Sequence, residues 1–131
     1  RGNPRTLDWL QASYDIGYQV ITMDEYKELG HEKCTKMILD RLGDNPIYVT
    51  FDLDCLDSTV APGTANLEPA FKGFNIDEAR KLIQCLKGKN VIGGDVACLM
   101  PTKDNPNNIT SMVAASIMFE IICLISLNLN K

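Results

Sequence analysis

Apolar positions along the chain alternate between short β-rich runs and stretches with helical spacing. Tyr18 to Thr22 (Tyr-Gln-Val-Ile-Thr), Ile47 to Leu53 (Ile-Tyr-Val-Thr-Phe-Asp-Leu) and Val91 to Ala97 (Val-Ile-Gly-Gly-Asp-Val-Ala) read as three strands. Cys34, Ile38 and Leu42 recur at i, i+4 and i+8, which predicts a helix from about His31 to Leu42, stopped at Gly43. Asn75 is an N-cap with Glu78 as its capping-box partner. Behind it Ile76, Ala79, Leu82, Ile83 and Leu86 form an apolar stripe that Gly88 ends. A further helix is read near Thr6 to Ser13. Helical stretches between the strands imply crossover connections and parallel pairing, so the fold class is α/β.

The last apolar segment, Ile109 to Leu127, follows a polar loop from Thr102 to Asn108 and approaches the roughly 20 residues that a bilayer requires. Glu120, Thr110, Ser111, Ser116 and Ser126 give it a thin polar stripe, and no basic cluster flanks it before Lys131. The expectation is a core helix packed on the sheet, burying Met112, Ile117 and Phe119, rather than a membrane partner. Lys103 and Asp104, in the preceding loop, read by default as solvated, with contact to a substrate or another subunit as the alternative.

Composition narrows the function classes. With 131 residues, 45% of them hydrophobic and 23% charged, the chain is one globular domain rather than a disordered segment. Thirteen basic against 17 acidic side chains give a net charge of -4, which opposes nucleic acid as a partner. Five cysteines without a C-x-x-C pattern read as reduced thiols of an intracellular protein, cytoplasmic or mitochondrial. No basic segment followed by an apolar run opens the chain, and its start at Arg1 rather than Met suggests a piece of something longer.

The chemistry gathers after the second strand, where Phe51-Asp52-Leu53-Asp54-Cys55-Leu56-Asp57 loads three carboxylates onto the end of a parallel strand. Ligands of open α/β sheets bind at that end. Residues two apart on a strand share a face, so Asp52 and Asp54 are expected to converge on one cation. Adjacent carboxylates repel unless a positive charge lies between them, and oxygen donors suit Mn, Mg or Ca. A turn at Val60-Ala61-Pro62-Gly63-Thr64 and a polar loop through Glu68 follow directly.

Together the aspartate-rich run, Ala61-Pro62-Gly63-Thr64 and Glu68 resemble the signature of the ureohydrolases, the family of arginase, agmatinase and guanidinobutyrase, on its agmatinase-like branch. Gly93-Gly94-Asp95-Val96 is similar to the family's next strand. The likeness extends from Arg1-Gly2 through Tyr18 to Thr22 and the final helix, and so covers essentially the whole chain. The resemblance implies a three-layer αβα fold with a parallel sheet, of which this chain is the C-terminal portion and the N-terminal half is absent. It implies hydrolysis of an agmatine-like guanidino compound to urea and an amine, in a homo-oligomer. Two Mn2+ ions about 3.5 to 4 Å apart would share and activate a water. Asp52 and Asp54 would be metal ligands, Asp52 bridging, and Asp57 would orient the ligand loop through its backbone. Glu68 and Cys98 would lie on the substrate side, and no catalytic residue is assigned.

Two departures accompany the likeness. The family draws two His and two Asp from earlier Gly-Gly-Asp-His-like and Asp-Ala-His-x-Asp-like segments, and neither occurs here. His31, the one histidine, is expected on a surface helix rather than on a metal. At Cys98 the family carries a Glu that holds the substrate guanidinium in a charge-assisted pair, which a mostly neutral thiol does not replace. Cys98 also reads as a small buried hydrophobe. The isolated chain is therefore expected to be inactive. Two alternatives stand beside the enzyme: a truncated, non-catalytic family member acting in binding or assembly, and a haloacid-dehalogenase-type phosphatase, which uses D-x-D with a nucleophilic first Asp.

Overall fold

Three short helices precede the first strand in the computed structural model, which describes residues 8–67 and 73–129. They are α1 (Trp9–Asp15), α2 (Met23–Leu29) and α3 (His31–Leu42). Thr22 opens α2 with a capping box: its hydroxyl accepts from the Glu25 N–H at 3.2 Å, and its own N–H donates to Glu25 Oε2 at 2.7 Å. Gly30, at φ 82°, then turns the chain directly into α3, a backbone conformation that favours glycine.

The expected strand from Tyr18 to Thr22 is not one. Its ends are committed locally, Tyr18 N–H to the Ser13 carbonyl at 3.0 Å and Thr22 to the α2 cap, and no described strand offers it a ladder. Alternating apolar residues describe an extended segment; they become a strand only where a partner takes the backbone hydrogen bonds.

β1 (Ile47–Asp52) and β2 (Val91–Ala97) pair in parallel, connected through α4 (Ile76–Gln84). Register runs from Tyr48 opposite Gly93 to Asp52 opposite Ala97, after a bulge between Ile47 and Tyr48. β1 stops one residue before the expected Leu53, because that fully buried side chain starts a 3-10 turn, Leu53–Cys55. α4 opens as its sequence requires: Asn75 Oδ1 accepts the Glu78 N–H at 2.8 Å and Glu78 Oε2 accepts the Asn75 N–H at 3.0 Å.

α5 (Ile109–Leu129) lies along β2 and α4. Thr110, Val113, Ala114, Ile117, Ile121 and Leu124 are buried along one face of it, and the apolar five close a core with Leu53, Leu56, Ile83 and Val91. Gly94 is required there: a Cβ on it would sit 2.6 Å from the Val49 carbonyl oxygen and 2.8 Å from Ile121 Cγ2. Ile117 is buried as expected, but Met112 and Phe119 are 61% and 66% exposed. The helix is apolar on all sides, so composition does not reveal which face meets the sheet. By length and hydropathy α5 could cross a membrane. In the fold it packs on β2, and Glu120 is held by Arg80 Nε at 2.9 Å and by Gln84 Nε2 at 3.1 Å.

Ile121→Ala should lower the unfolding free energy by about 2 to 5 kcal/mol, and Gly94→Ala by about 1 to 3 kcal/mol, in urea titrations. Met112→Ser should change it by no more than about 0.5 kcal/mol. A neutral Ile121→Ala beside a damaging Met112→Ser would reverse the assigned face of α5.

Candidate metal centre

Parallel pairing brings the C-terminal ends of β1 and β2 to one edge of the sheet. Asp52 is the last residue of β1, opposite Ala97, and Cys98 follows Ala97 directly. One ligand atom each from Asp52, Asp54 and Cys98 lie within 4.8 Å of one another, the one such cluster among the described residues.

The two aspartates converge, but not by strand alternation. Asp54 sits in the 3-10 turn, where Asp52 Oδ1 accepts its N–H at 2.9 Å. This Asx-type turn folds Asp54 back beside Asp52, two residues earlier. Asn66 steadies the Asp54 carboxylate from the neighbouring loop, with Nδ2 3.1 Å from Oδ2.

Cys98 adopts φ 66°, the left-handed region that non-glycine residues rarely enter. Its half-buried thiol meets Asp52, whose hydrogen bond pushes the thiol pKa up to about 11, with burial and the charges of Asp52 and Asp54 adding to the effect. In this arrangement the thiol is neutral at pH 7.

Asp57 lies outside the cluster and shapes the loop behind it. Its N–H donates to the Phe74 carbonyl at 2.9 Å, its own carbonyl accepts from Val60 and Ala61 at 3.0 Å, and Oδ1 accepts from Thr59 N–H and hydroxyl. The chain returns so closely that a Cβ on Gly73 would lie 2.3 Å from Asp57 N. Glu68 lies outside the described residues. His31 Nδ1 shares a hydrogen bond of 3.1 Å with the Tyr26 hydroxyl and takes no part in the cluster.

Asp104, read from the sequence as solvated, organises the loop that follows β2 and the start of α5. Its carboxylate accepts from Thr110 N–H at 3.1 Å, Ser111 N–H at 2.9 Å and the Ser111 hydroxyl at 2.9 Å, which caps α5. The fully buried Thr110 Oγ1 accepts the Gly63 N–H at 2.8 Å, and the Gly63 carbonyl accepts Met100 N–H at 2.8 Å. The Ala61-Pro62-Gly63-Thr64 turn, the exit from β2 and the start of α5 are thereby tied together. Desolvation raises the Asp104 pKa, but the hydrogen bonds from Ser111 and Thr110 outweigh it and hold the carboxyl well below the usual carboxylate range. An Asp followed six and seven residues on by Thr-Ser at a helix start was the available signal.

The sequence profile of the Arginase family matches residues 2–124. The chain belongs to the arginase family. It is 37% identical over 126 residues to guanidinopropionase of Pseudomonas aeruginosa, covering 96% of this chain and 39% of that protein. To agmatinase of Photorhabdus laumondii it is 36% identical over 110 residues, covering 84% and 35%. The solved proclavaminate amidino hydrolase of Streptomyces clavuligerus superposes with a TM-score of 0.84 at 31% identity, covering 98% of this chain and 42% of that one. Arginase from Bacillus caldovelox, at 22% identity and TM-score 0.75, covers 86% of this chain and 38% of that one and shares the fold. The chain thus has the αβα arginase fold with a parallel sheet, and it spans 35–39% of the length of these two curated relatives. Family membership displaces the phosphatase alternative.

The donor set fits the metal of an arginase-family site only in part. Two carboxylates and a thiol suit one divalent cation, whereas two ions with four or more ligands each need donors beyond those that the described residues bring together.

Thr110→Val should cost about 1 to 3 kcal/mol in urea unfolding, because the buried Gly63 N–H loses its acceptor. Asp104 has a depressed folded pKa, so its contribution is present above about pH 4 and is lost as pH falls through the folded value. The unfolding midpoint of the unsubstituted chain should therefore fall more steeply below pH 4 than that of Asp104→Asn. Parallel profiles would remove Asp104 from this role.

Proposed function

We propose that this chain carries the C-terminal share of the site of an agmatinase-like ureohydrolase, which hydrolyses a guanidino compound to urea and an amine. The observation that carries this reading is the convergence of Asp52 and Asp54 at a parallel-strand end within the arginase family. Names of similar proteins, guanidinopropionase and agmatinase, support the substrate class. The cofactor is Mn2+, two ions in the complete site, with Asp52 and Asp54 among the ligands and further donors supplied beyond the described residues. When bound, the metal supplies Lewis-acid activation of water for attack on the guanidino carbon.

The chain's own residues do the holding and shaping. Asp52 and Asp54 present carboxylate oxygens from one turn, Asp57 sets the backbone that follows, and Asp104 with Thr110 ties the Ala61–Thr64 turn to the start of α5. Glu68 and Cys98 are assigned to the substrate side. A neutral Cys98 leaves a guanidinium without the charge-assisted pair that a carboxylate there provides. Small guanidino compounds are the partners, the assembly is a homo-oligomer, and nucleic acid and membrane play no part. The second reading, a non-catalytic member acting in binding or assembly, is favoured by the same thiol and by a His31 engaged with Tyr26.

A chimera tests the two readings. With these residues replacing the corresponding segment of Photorhabdus agmatinase, urea release from agmatine or guanidinobutyrate should require Mn2+ and disappear with chelator. Asp52→Asn or Asp54→Asn should lower kcat/KM by about 100-fold or more. Cys98→Glu should raise it by a charge-assisted hydrogen bond, about 1.5 to 3 kcal/mol. The 131-residue chain alone should bind Mn2+ weakly and release no urea. A folded chimera inactive with either Cys98 or Glu at that position would leave the binding reading in its place.

A further inference from the structure

We infer that the Cys98 sulfur is itself a metal donor, so that this chain offers a cation two carboxylates and one sulfur and favours a borderline ion such as zinc or cobalt over manganese. The inference rests on the reading that Asp52 and Asp54 face a metal, departs from that reading in the ion preferred, and gives Cys98 a role on the metal rather than only on the substrate. Its basis is position. Asp52 and Asp54 come from the end of β1, Cys98 from the end of the adjacent β2, and their donor atoms lie within 4.8 Å of one another.

Metal–sulfur bonds near 2.3 Å and metal–oxygen bonds of about 2.0 to 2.2 Å place donors on one ion up to about 4.5 Å apart. Small side-chain rotations close the difference. A cysteine side chain is also two bonds shorter than glutamate. Its donor therefore stays at the strand ends beside the aspartates, where a glutamate from the same backbone position would extend past them.

Chemistry points the same way. A thiol contributes no charge to a cationic substrate, yet as a thiolate it is a strong ligand for borderline and soft ions and a poor one for manganese. On binding, the S–H bond breaks, its proton leaves to solvent, and the sulfur lone pair forms the metal bond. No electron is transferred.

The test titrates the 131-residue chain with Co2+ and, separately, with Mn2+. Co2+ binding is followed by sulfur-to-metal charge-transfer absorption, and Mn2+ binding by loss of the free-ion electron paramagnetic resonance signal. The unsubstituted chain should develop the charge-transfer band, Cys98→Ser should abolish it, and Cys123→Ser should retain it. Cys98→Ser should weaken Co2+ binding by about tenfold or more while changing Mn2+ binding by less than about threefold. A band and a Co2+ affinity unchanged in Cys98→Ser would overturn the inference. If Asp52→Asn abolished uptake of both ions in that case, the metal reading itself would stand. A folded chain that takes up neither ion at millimolar concentration would overturn both.

Discussion

The parallel pairing of β1 with β2 is the constraint from which the rest of the site descends. Because the strands run the same way, the residues that leave them, Asp52 into its turn and Cys98 after Ala97, open at one edge. An antiparallel pair would carry Cys98 to the far end of the sheet. The bulge between Ile47 and Tyr48 matters as much, since it advances β2 by one residue and sets Thr50 opposite Asp95, where the Thr50 hydroxyl donates to Asp95 Oδ1 at 2.8 Å. Without it Asp52 would pair with Val96, and a slip of one residue turns side chains to the other face. Gly94 then admits α5 against the same ladder, so the helix that closes the core also fixes the strands that bear the donors.

Asp104, whose carboxyl is held well below the usual carboxylate range, lies outside the cluster of Asp52, Asp54 and Cys98. Asp104 accepts hydrogen bonds from the first turn of α5, and its depressed pKa reports helix capping. Structural networks shift pKa values as readily as active sites do, so the shift at Asp104 marks architecture. The division of labour is physical. Asp104, Thr110 and Gly63 supply rigidity from satisfied hydrogen bonds, while Asp52 stays exposed at the end of β1, with Oδ1 accepting the Asp54 N–H.

Much of the fold was legible because its signals are local. The Asn75–Glu78 capping box and the Cys34–Leu42 stripe each specify a helix within one or two turns of sequence, and both helices are present. The same kind of signal, Thr22 with Glu25 and then Gly30, announces α2, but Tyr18 to Thr22 reads more readily as a strand when its partner is not considered. What failed needed information from elsewhere in the chain. The buried face of α5 depends on the sheet beneath it, because a helix apolar all round carries no moment to orient it. Asp52 and Asp54 were recognised by type and spacing, yet a turn rather than strand alternation brings them together.

Cys98 is the position at which resemblance and geometry separate. The likeness alone describes it as a carboxylate lost, which weakens the hold on a planar cation. The structure adds that a neutral thiol stands beside two carboxylates, on a residue with a left-handed backbone angle. These consequences are coupled, since one side chain sets both. Removing a negative charge weakens the attraction for a guanidinium, and placing sulfur among oxygens shifts the preference of the site toward ions that accept softer ligands. On the proposed reading, a single residue at a strand end would bear both on which metal ion the aspartates hold and on how a cationic substrate is held.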